Sequence, residues 1–341
     1  MILESIAVIG FAILLDLVFG DPRNRYHPTA WIGNLIGIIT TRMKNQNNSL
    51  EKLGGIFIVL IPVSISCIIL TGLQSSIDLI NFELLYIILS VVAFAILFKL
   101  TIAIRGMQTH ALDILDAVQK DDLTLARKNL SMIVKRNTKD LDKKHILSGT
   151  LESLSENIVD GITGPMFYFA LFGLPGAFAY RIVNTIDSMV GYKTEMFNNL
   201  GWFGANCDNI LNYIPSRLTG LTMVLGSMML GHDWRNCYTI FKRDGKKTDS
   251  PNAGYPMAAL AGALGTKLEK IEHYSLGTDI QEITSQKVKE AITLMKVTSL
   301  LFFGIVSIPI ILFISLLESI LIAQTNWFYL FISDNNSNVK F

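Results

Sequence analysis

The amino-acid sequence predicts an all-α fold, and more specifically a polytopic integral membrane protein with a cytoplasmic helical region. Half of the 341 residues are hydrophobic and only 17% are charged, whereas about 25% are charged in an average soluble protein. Several apolar runs are long enough to cross a bilayer. No stretch alternates convincingly between apolar and polar residues, as a half-buried strand does. These observations together favour membrane helices over any sheet-based fold.

A spanning helix needs about 20 mostly apolar residues. Four runs meet that requirement and are predicted to be transmembrane helices: 2–19, 53–77, 79–98 and 298–317. The first run carries Glu4 and Asp16 and lacks both a basic start and a small-residue cleavage site. It is therefore predicted to be a retained helix rather than a secretory signal.

Two further apolar runs do not resemble simple spans. Residues 161–180 are uncharged but contain Pro165, Pro175 and four glycines, which predicts a broken or re-entrant helix. Residues 218–232 are apolar but short. The Lys/Arg-rich segments 20–53, 101–157 and 233–296 are predicted to be cytoplasmic. Because the last two of these segments share a side, the two apolar runs either both cross the bilayer or both stay on one side.

The same patterns divide the chain into four parts. Residues 1–100 form an N-terminal membrane part with a cytoplasmic loop at 20–53, and residues 101–296 form a helical region that is partly membrane-embedded. A C-terminal transmembrane segment at 297–332 and a polar tail at 333–341 follow. Within the second part, residues 105–157 place apolar side chains at helical spacing. Breaks between these soluble helices are predicted at Asp121-Asp122 and at Asn137-Thr138.

Composition also excludes several functions. The net charge of +1 gives no electrostatic footprint for nucleic acid. Three scattered cysteines show no CxxC spacing, and five dispersed histidines show no zinc signature. The sequence contains no Walker A motif, no GxGxxG after a strand and no HExxH.

The polar stretch between residues 152 and 193 carries most of the functional information. Glu152, Glu156 and Asp160 are spaced at i, i+4 and i+8, so a helix aligns them along one face. Like charges so arranged favour a bound cation, a basic substrate or a raised pKa. For an isolated pair of glutamates four residues apart, a solvent-exposed helix face would be the favoured interpretation. The apolar surroundings and the polar residues that follow favour a functional site: Asn157, Tyr180, Arg181, Asn184, Asp187 and Lys193.

Three other clusters are candidates. The first holds Asp16 in an apolar helix, then Asp21 and His27, and a turn with a loop histidine is its structural alternative. The second holds Asp208, Asn212 and Arg217. The third is the loop SPNAGYP with Asn252, which is either a turn before a closely packed small-residue helix or an anion-binding loop at a helix N-terminus.

The motifs DLVFGDP, HP, ESLSENIVDG, GLPGAFAYRIVNTIDSMVGYK, IPSRL and SPNAGYPMAALAGALG occur in this order between about Asp16 and Gly265. In this order they resemble the adenosylcobinamide-phosphate synthase family, CobD/CbiB. The resemblance implies a cell-membrane, multi-pass ligase of cobalamin biosynthesis with its active site on the cytoplasmic side. Such an enzyme joins adenosylcobyric acid to (R)-1-amino-2-propanol or its O-phosphate. The resemblance also implies ATP and Mg²⁺, corrinoid and aminopropanol substrates, and partner enzymes of that pathway.

Together the clusters and the resemblance predict a set of site residues. The predicted catalytic residues are Glu152, Glu156, Asp160, Asp187 and Lys193, and Asp160 and Asp187 are also predicted metal ligands. The predicted substrate-binding residues are Asp21, His27, Asn157, Tyr180, Arg181, Asn184, Asp208, Arg217 and Asn252. The chain departs from the pattern of many relatives at four positions, which are therefore given no role: Asn137, Asn206, Asn209 and Met257.

Two classes compete with a ligase, namely a membrane transporter or corrinoid carrier without catalysis and, less favoured, a scaffold for a biosynthetic complex. Broken helices with polar groups also line transporter sites. A single ligase site requires the two polar clusters on either side of residues 161–180 to meet. If that run spans fully, about 30 Å of bilayer separates them; if it is re-entrant, they share one side, as the resemblance favours.

Overall fold

A computed structural model describes residues 2–22, 25, 27–191 and 197–321. The helices, in chain order, are α1 (Ile2–Phe19), α2 (Pro28–Met43), α3 (Asn48–Asp78), α4 (Glu83–Lys99), α5 (Ile104–Gln119), α6 (Leu123–Ser131), α7 (Lys143–Ile158), α8 (Gly164–Val190), α9 (Trp202–Leu211), α10 (Tyr213–Met229), α11 (Trp234–Asp244), α12 (Gly254–Leu264) and α13 (Ser285–Phe302). π-Helical turns, Val159–Thr163 and Phe303–Ser307, follow α7 and α13. The prediction of an all-α, polytopic fold is confirmed.

Five segments of the described chain are long and apolar enough to cross a membrane: Ile2–Phe19, Asn48–Asp78, Glu83–Gln119, Lys143–Val190 and Ser285–Leu321. The predicted runs 2–19, 53–77 and 298–317 lie inside the first, second and fifth of these segments, while 79–98 overlaps the third. The fourth segment contains the ambiguous run 161–180. Helix α10, which contains most of the short run 218–232, is not among the five.

The helices predicted within residues 105–157 are present with their breaks. Asp122 caps α6 by accepting a hydrogen bond from the backbone N–H of Leu125, and Asp142 caps α7 by accepting one from His145. Side-chain oxygens at this position satisfy backbone donors that have no partner within the helix. The second predicted break, at Asn137-Thr138, falls in the segment between α6 and α7.

Helix α8 is interrupted at Gly173, whose φ of 65° and ψ of −155° are not helical. Glycine tolerates this backbone because it has no Cβ. On either side of the interruption the chain folds back on itself, and the ring of Tyr180 lies so close to Gly164 that a side chain at position 164 would overlap it. The predicted break in the run 161–180 is therefore present, and it forms a tight hairpin rather than a straight helix.

The hairpin joins two hydrophobic cores. Residues of α8 before and just after Gly173, such as Met166 and Ala177, pack in the larger core with α1, α4, α5, α7, α12 and α13. Later residues, such as Ile186, pack with Ile36 and Ile58 in a smaller core between α2 and α3. Burial of apolar surface on both sides thus fixes the hairpin.

The expectation that the chain has no strand is wrong in one place. Strands β1 (Lys267–Lys270) and β2 (Tyr274–Gly277) form an antiparallel hairpin, with Lys270 opposite Tyr274. Its turn holds Glu272 at a positive φ of 64°. Each strand has only four residues, which is too short to show alternation in the sequence. The hairpin packs against α7 and α12 and so carries its side chains to the site described next.

Candidate functional site

A cavity of about 680 Å³ lies where α7, the π-helical turn, the end of α8, α9, the SPNAGYP loop and the β-hairpin meet. Carboxylates and cations line it together: Glu152, Glu156, Asp160, Asp187 and Asp208, with Lys135, Arg136 and Lys270. The predicted acidic face of α7 and the polar cluster at the end of α8 therefore share one cavity. Their separation by a full bilayer thickness does not occur in this structure.

The π-helical turn and the end of α8 are joined directly. Nη1 of Arg181 donates a hydrogen bond of 2.9 Å to the backbone oxygen of Asp160 and one of 3.3 Å to Oδ1 of Asn184. The amide nitrogen of Asn184 in turn lies 3.3 Å from Oδ1 of Asp208. Arg181 and Asn184, both predicted to bind substrate, thus hold the backbone and side chains that form the cavity wall.

Asn212 connects two of the cavity carboxylates. Its amide nitrogen donates to Oδ2 of Asp208 at 3.0 Å and to Oδ1 of Asp160 at 3.3 Å. Its amide oxygen accepts a hydrogen bond of 2.6 Å from the buried hydroxyl of Tyr180. Tyr180, a predicted substrate-binding residue, therefore lies behind the wall and orients Asn212.

Burial, together with the neighbouring carboxylates of Asp160 and Asp187, raises the pKa of Asp208 to about 8. A carboxyl group that is buried beside other carboxylates loses its proton less readily, because water does not stabilise its charge and the neighbouring charges repel it. The amide donors of Asn184 and Asn212 oppose the shift without reversing it. A carboxyl group with such a pKa exchanges a proton near neutral pH, as acid–base chemistry requires.

The three aligned carboxylates of the sequence have different surroundings. The side chain of Glu152 is only 6% exposed and lies 3.2 Å from Nη2 of Arg136. It also accepts hydrogen bonds of 2.8 Å from Ser148 and from the hydroxyl of Tyr274. Burial and this carboxylate hold the pKa of Tyr274 above its ordinary value. Glu152 is thus engaged by three partners and fixes the β-hairpin on α7.

Glu156 and Asp187 differ from Glu152 in their freedom. Both are half-buried and line the cavity. Across the part of the chain that the structure describes, no side chain or backbone N–H donates a hydrogen bond to either carboxylate. Their oxygens are therefore available to a ligand.

The predicted anion-binding loop is built around Arg217. The guanidinium lies between two aromatic rings, 3.6 Å from the ring centre of Tyr213 and 4.3 Å from that of Tyr255, an arrangement that stabilises the cation. Nη1 donates 2.9 Å to Oδ1 of Asn252, whose amide donates 2.8 Å to the backbone oxygen of Asn209. Asn252 lines the cavity, whereas Arg217 holds it from behind.

Two predicted residues lie elsewhere. Asp21 pairs with Lys99 at 3.0 Å and lies 3.8 Å from His27, and neither Asp21 nor His27 lines the cavity. Lys99 is also 3.6 Å from buried Asp16, so these charges form a separate ionic cluster. Lys193 lies outside the described residues, and its predicted role stays a prediction.

Sequence reasoning missed several cavity residues. Arg136 reaches it through the loop before α7, and Lys270 and Tyr274 reach it through the short hairpin. Asn209 and Met257, which were given no role, also line it. Asn212, which the sequence grouped with Asp208 but to which no role was assigned, also lines it and follows Asp208 at the i, i+4 spacing of one helix face.

The donor chemistry fits Mg²⁺ only in part. Mg²⁺ is usually held by one or two carboxylates together with substrate phosphates. Asp187 offers oxygens without hydrogen-bond donors, and Asp160 accepts one from Asn212 at Oδ1. Among the described residues no group of three or more Asp, Glu, His or Cys side chains is arranged to hold a metal ion by itself. The predicted pair offers carboxylate oxygens of the kind that Mg²⁺ prefers, and an ion there would take its remaining ligands from phosphate and water.

Comparison with known proteins now decides the family. The family model described as CobD/Cbib protein matches residues 9–301. The chain belongs to the CobD/Cbib family. The match includes every residue discussed above that lines the cavity, so the site belongs to the family region of the chain.

Curated CobD relatives align with most of the chain. The "Probable cobalamin biosynthesis protein CobD" of Methanothermobacter thermautotrophicus is 40% identical over 88% of this chain and 96% of its own length. The "Cobalamin biosynthesis protein CobD" of Dehalococcoides mccartyi is 37% identical over 86% of this chain and 93% of its own length. The protein of the same name from Geobacter metallireducens is 39% identical over 78% of this chain and 81% of its own length. No solved structure shows significant similarity to this member of the CobD/Cbib family.

Proposed function

We propose that the protein acts in cobalamin biosynthesis as a membrane-bound, ATP-dependent ligase. It joins adenosylcobyric acid to 1-amino-2-propanol or its O-phosphate through an amide bond. The names of its CobD relatives support the pathway, and the motif resemblance supports the reaction. The observation that carries the proposal is the shared cavity, in which free carboxylates face lysine and arginine side chains.

The two kinds of charge suit the two kinds of substrate. An amine arrives largely protonated at neutral pH, and the carboxylates of Glu156 and Asp187 attract it. A propionate carboxylate and phosphate groups are anions, which the cationic side chains of Arg136 and Lys270 attract. The reacting groups are thereby held next to each other, and such positioning supplies much of the rate enhancement of a two-substrate reaction.

The chemistry needs an activated acid, because a carboxylate is a poor electrophile. In the proposed route a propionate oxygen attacks a phosphorus atom of ATP, giving an acyl phosphate with release of ADP or an acyl adenylate with release of pyrophosphate. The amine nitrogen then attacks the acyl carbon, and phosphate or AMP leaves. Glu156 accepts the proton that the amine loses, because it lines the cavity without a competing hydrogen-bond donor among the described residues.

The other predicted residues are assigned supporting roles. Asp160 and Asp187 are proposed to hold Mg²⁺, which when bound neutralises charge on phosphate oxygens. Asp208, with its raised pKa, is proposed to donate a hydrogen bond to substrate while protonated. Glu152 is proposed to act structurally, since its three partners leave it little freedom. Asn157 and Asn252 line the cavity and are proposed to orient amide or phosphate groups.

The decisive experiment uses purified protein in detergent with adenosylcobyric acid, each amine and MgATP. Mass spectrometry detects the amide product, and the nucleotide by-product identifies the activated acid. Glu156→Gln and Asp187→Asn are each expected to lower turnover by at least about a hundredfold. Glu282→Gln, at an exposed carboxylate outside the cavity, is the matched control. Full activity in both site variants would refute the assignment.

One observation favours a second candidate, a corrinoid carrier without catalysis. Helix α8 is broken at Gly173 between polar clusters, and broken helices also occur at transporter sites. The same assay separates the two functions. Tight binding of adenosylcobyric acid without amide product would support the carrier and exclude the ligase.

A further inference from the structure

A second cleft, of about 410 Å³, lies between α6 and the segment that leads to α7. Its charged side chains are all cationic: Arg127, Lys128, Arg136 and Lys139. The remaining lining residues are hydroxyl and amide side chains, and no acidic residue lines it. The cleft is therefore polar and strongly positive, in contrast to the acidic wall of the main cavity.

Apart from Arg136, which pairs with Glu152, these cations form no ion pair with the described residues. Within the described ranges, Lys128 and Lys139 form no ion pair. Arg127 donates through Nε to the backbone oxygen of Leu141 at 2.9 Å, and its two terminal nitrogens have no hydrogen-bond acceptor among the described residues. Like charges held together repel each other unless an anion balances them. The cleft is thus arranged for an anionic ligand.

Arg136 connects this cleft to the main cavity, since it lines both. Nη2 donates 3.2 Å to Oε1 of Glu152, which holds the guanidinium against α7. Gly149 makes this possible, because a side chain there would overlap the guanidinium. Nε of Arg136 is buried and has no hydrogen-bond partner in the described part of the chain, so a donor is still available at the junction.

We propose that this basic cleft binds the phosphate groups of a soluble ligand whose other end reaches the main cavity past Arg136. Phosphate fits because guanidinium groups pair with its oxygens in a two-pronged manner and lysines add point charge. Thr124 and Asn137 in the lining supply polar side chains for the remaining oxygens. A nucleotide and a phosphorylated amine share this chemistry. The choice between these two ligands rests on the proposed function. Phosphate binding at the cleft does not depend on it.

The test measures binding without turnover. Purified protein in detergent with EDTA is titrated calorimetrically with tripolyphosphate, ATP, aminopropanol phosphate and unphosphorylated aminopropanol. The variant is Lys128→Gln/Lys139→Gln, chosen because both side chains are exposed and neither ammonium group donates a hydrogen bond to a residue that the structure describes. The control is Lys242→Gln/Lys289→Gln, which makes the same charge change on exposed lysines that line neither cavity.

We expect at least one phosphate-bearing probe to bind the wild type and to bind the cleft variant about tenfold more weakly, since charge-assisted hydrogen bonds are lost. The control is expected to bind like the wild type, and higher salt is expected to weaken binding. The ATP and amine-phosphate arms show which source is used. Equal affinities in wild type and variant, an equal loss in the control, or no binding by the wild type would overturn the proposal.

Three further outcomes separate the cleft proposal from the proposed function. If the lysine substitutions weaken only the binding of anionic lipid added to the detergent, the proposal of a soluble ligand is refuted and the cleft binds lipid headgroups. If the protein proves inactive as a ligase but binds phosphate probes through these lysines, the proposed function fails and the cleft stands. If it is active and its phosphate binding ignores the lysines, only the cleft proposal fails.

Discussion

The hydroxyl of Tyr180 donates a hydrogen bond of 2.6 Å to Oδ1 of Asn212, 32 residues further along the chain. The amide nitrogen of Asn212 then donates to the carboxylates of Asp160 and Asp208. An amide has distinct donor and acceptor ends, so Tyr180 determines which end of Asn212 faces the carboxylates. A buried tyrosine with no contact to the cavity thereby orients two of its acidic groups.

Removal of this hydroxyl is expected to affect activity more than stability. Tyr180→Phe leaves the buried Oδ1 without its donor, at a cost of about 1 kcal/mol in the free energy of unfolding. Turnover is expected to fall about tenfold, because the carboxylates lose their fixed orientation. The control is Tyr168→Phe, which also loses one hydrogen bond, to the backbone oxygen of Leu211. Comparable turnover in the two variants would contradict the positioning role.

The two glutamates of α7 are expected to fail in opposite ways. Glu152→Gln removes the buried charge that balances half-buried Arg136, and breaking a largely buried pair destabilises a protein by about 3 kcal/mol. Glu156→Gln removes no hydrogen bond within the described structure, so its thermal midpoint is expected to match that of the wild type while turnover is lost. Thermal unfolding and product formation, measured on the same preparations, separate the two effects. A destabilised Glu156→Gln protein would contradict this contrast.

The α8 hairpin depends on the absence of a side chain at position 164. Gly164→Ala places a methyl group that overlaps the hydroxyl end of the Tyr180 ring, and overpacking of this kind costs about 1–3 kcal/mol. Gly72→Ala is the matched control, since nothing lies within 4 Å of a methyl group there. We expect only the first variant to lower the thermal midpoint and the turnover. Equal behaviour of the two would show that the close approach of Tyr180 to Gly164 is not required.

The raised pKa of Asp208 predicts a pH dependence of stability with a definite sign. An unfolded aspartate releases its proton near pH 3.8, whereas the folded one holds it up to about pH 8. Between these values the folded state binds more protons than the unfolded state, so stability falls as pH rises. Asp208→Asn removes this contribution. The thermal midpoint of the variant is therefore expected to depend less on pH than that of the wild type between about pH 5 and pH 8. A slope unchanged from that of the wild type would show that Asp208 is ionised throughout this range.

The sequence was most informative where a pattern is local. Apolar runs predicted the spanning segments because a bilayer requires a minimum length of apolar helix. The spacing of Glu152, Glu156 and Asp160 predicted a shared acidic face, and all three line one cavity. Prolines and glycines predicted the interruption of residues 161–180, although Gly173 could not be singled out in advance among four glycines.

What the sequence could not predict depends on contacts between distant segments. Arg136 and Tyr274 come together at Glu152 only because the β-hairpin packs on α7, and the hairpin is too short to leave a pattern. Asp21 was grouped with the site by motif, whereas in the structure it pairs with Lys99 outside the cavity.

Sequence alone therefore determined the class of protein, the helical spans and the acidic face of α7, because each follows from the spacing of residues along one element. The tertiary structure alone decided which carboxylates are free and which are engaged, because that depends on the partners that packing supplies. Glu152 and Glu156 are equivalent in the sequence. In the folded chain one is held by Arg136, Ser148 and Tyr274, while the other is available to a ligand.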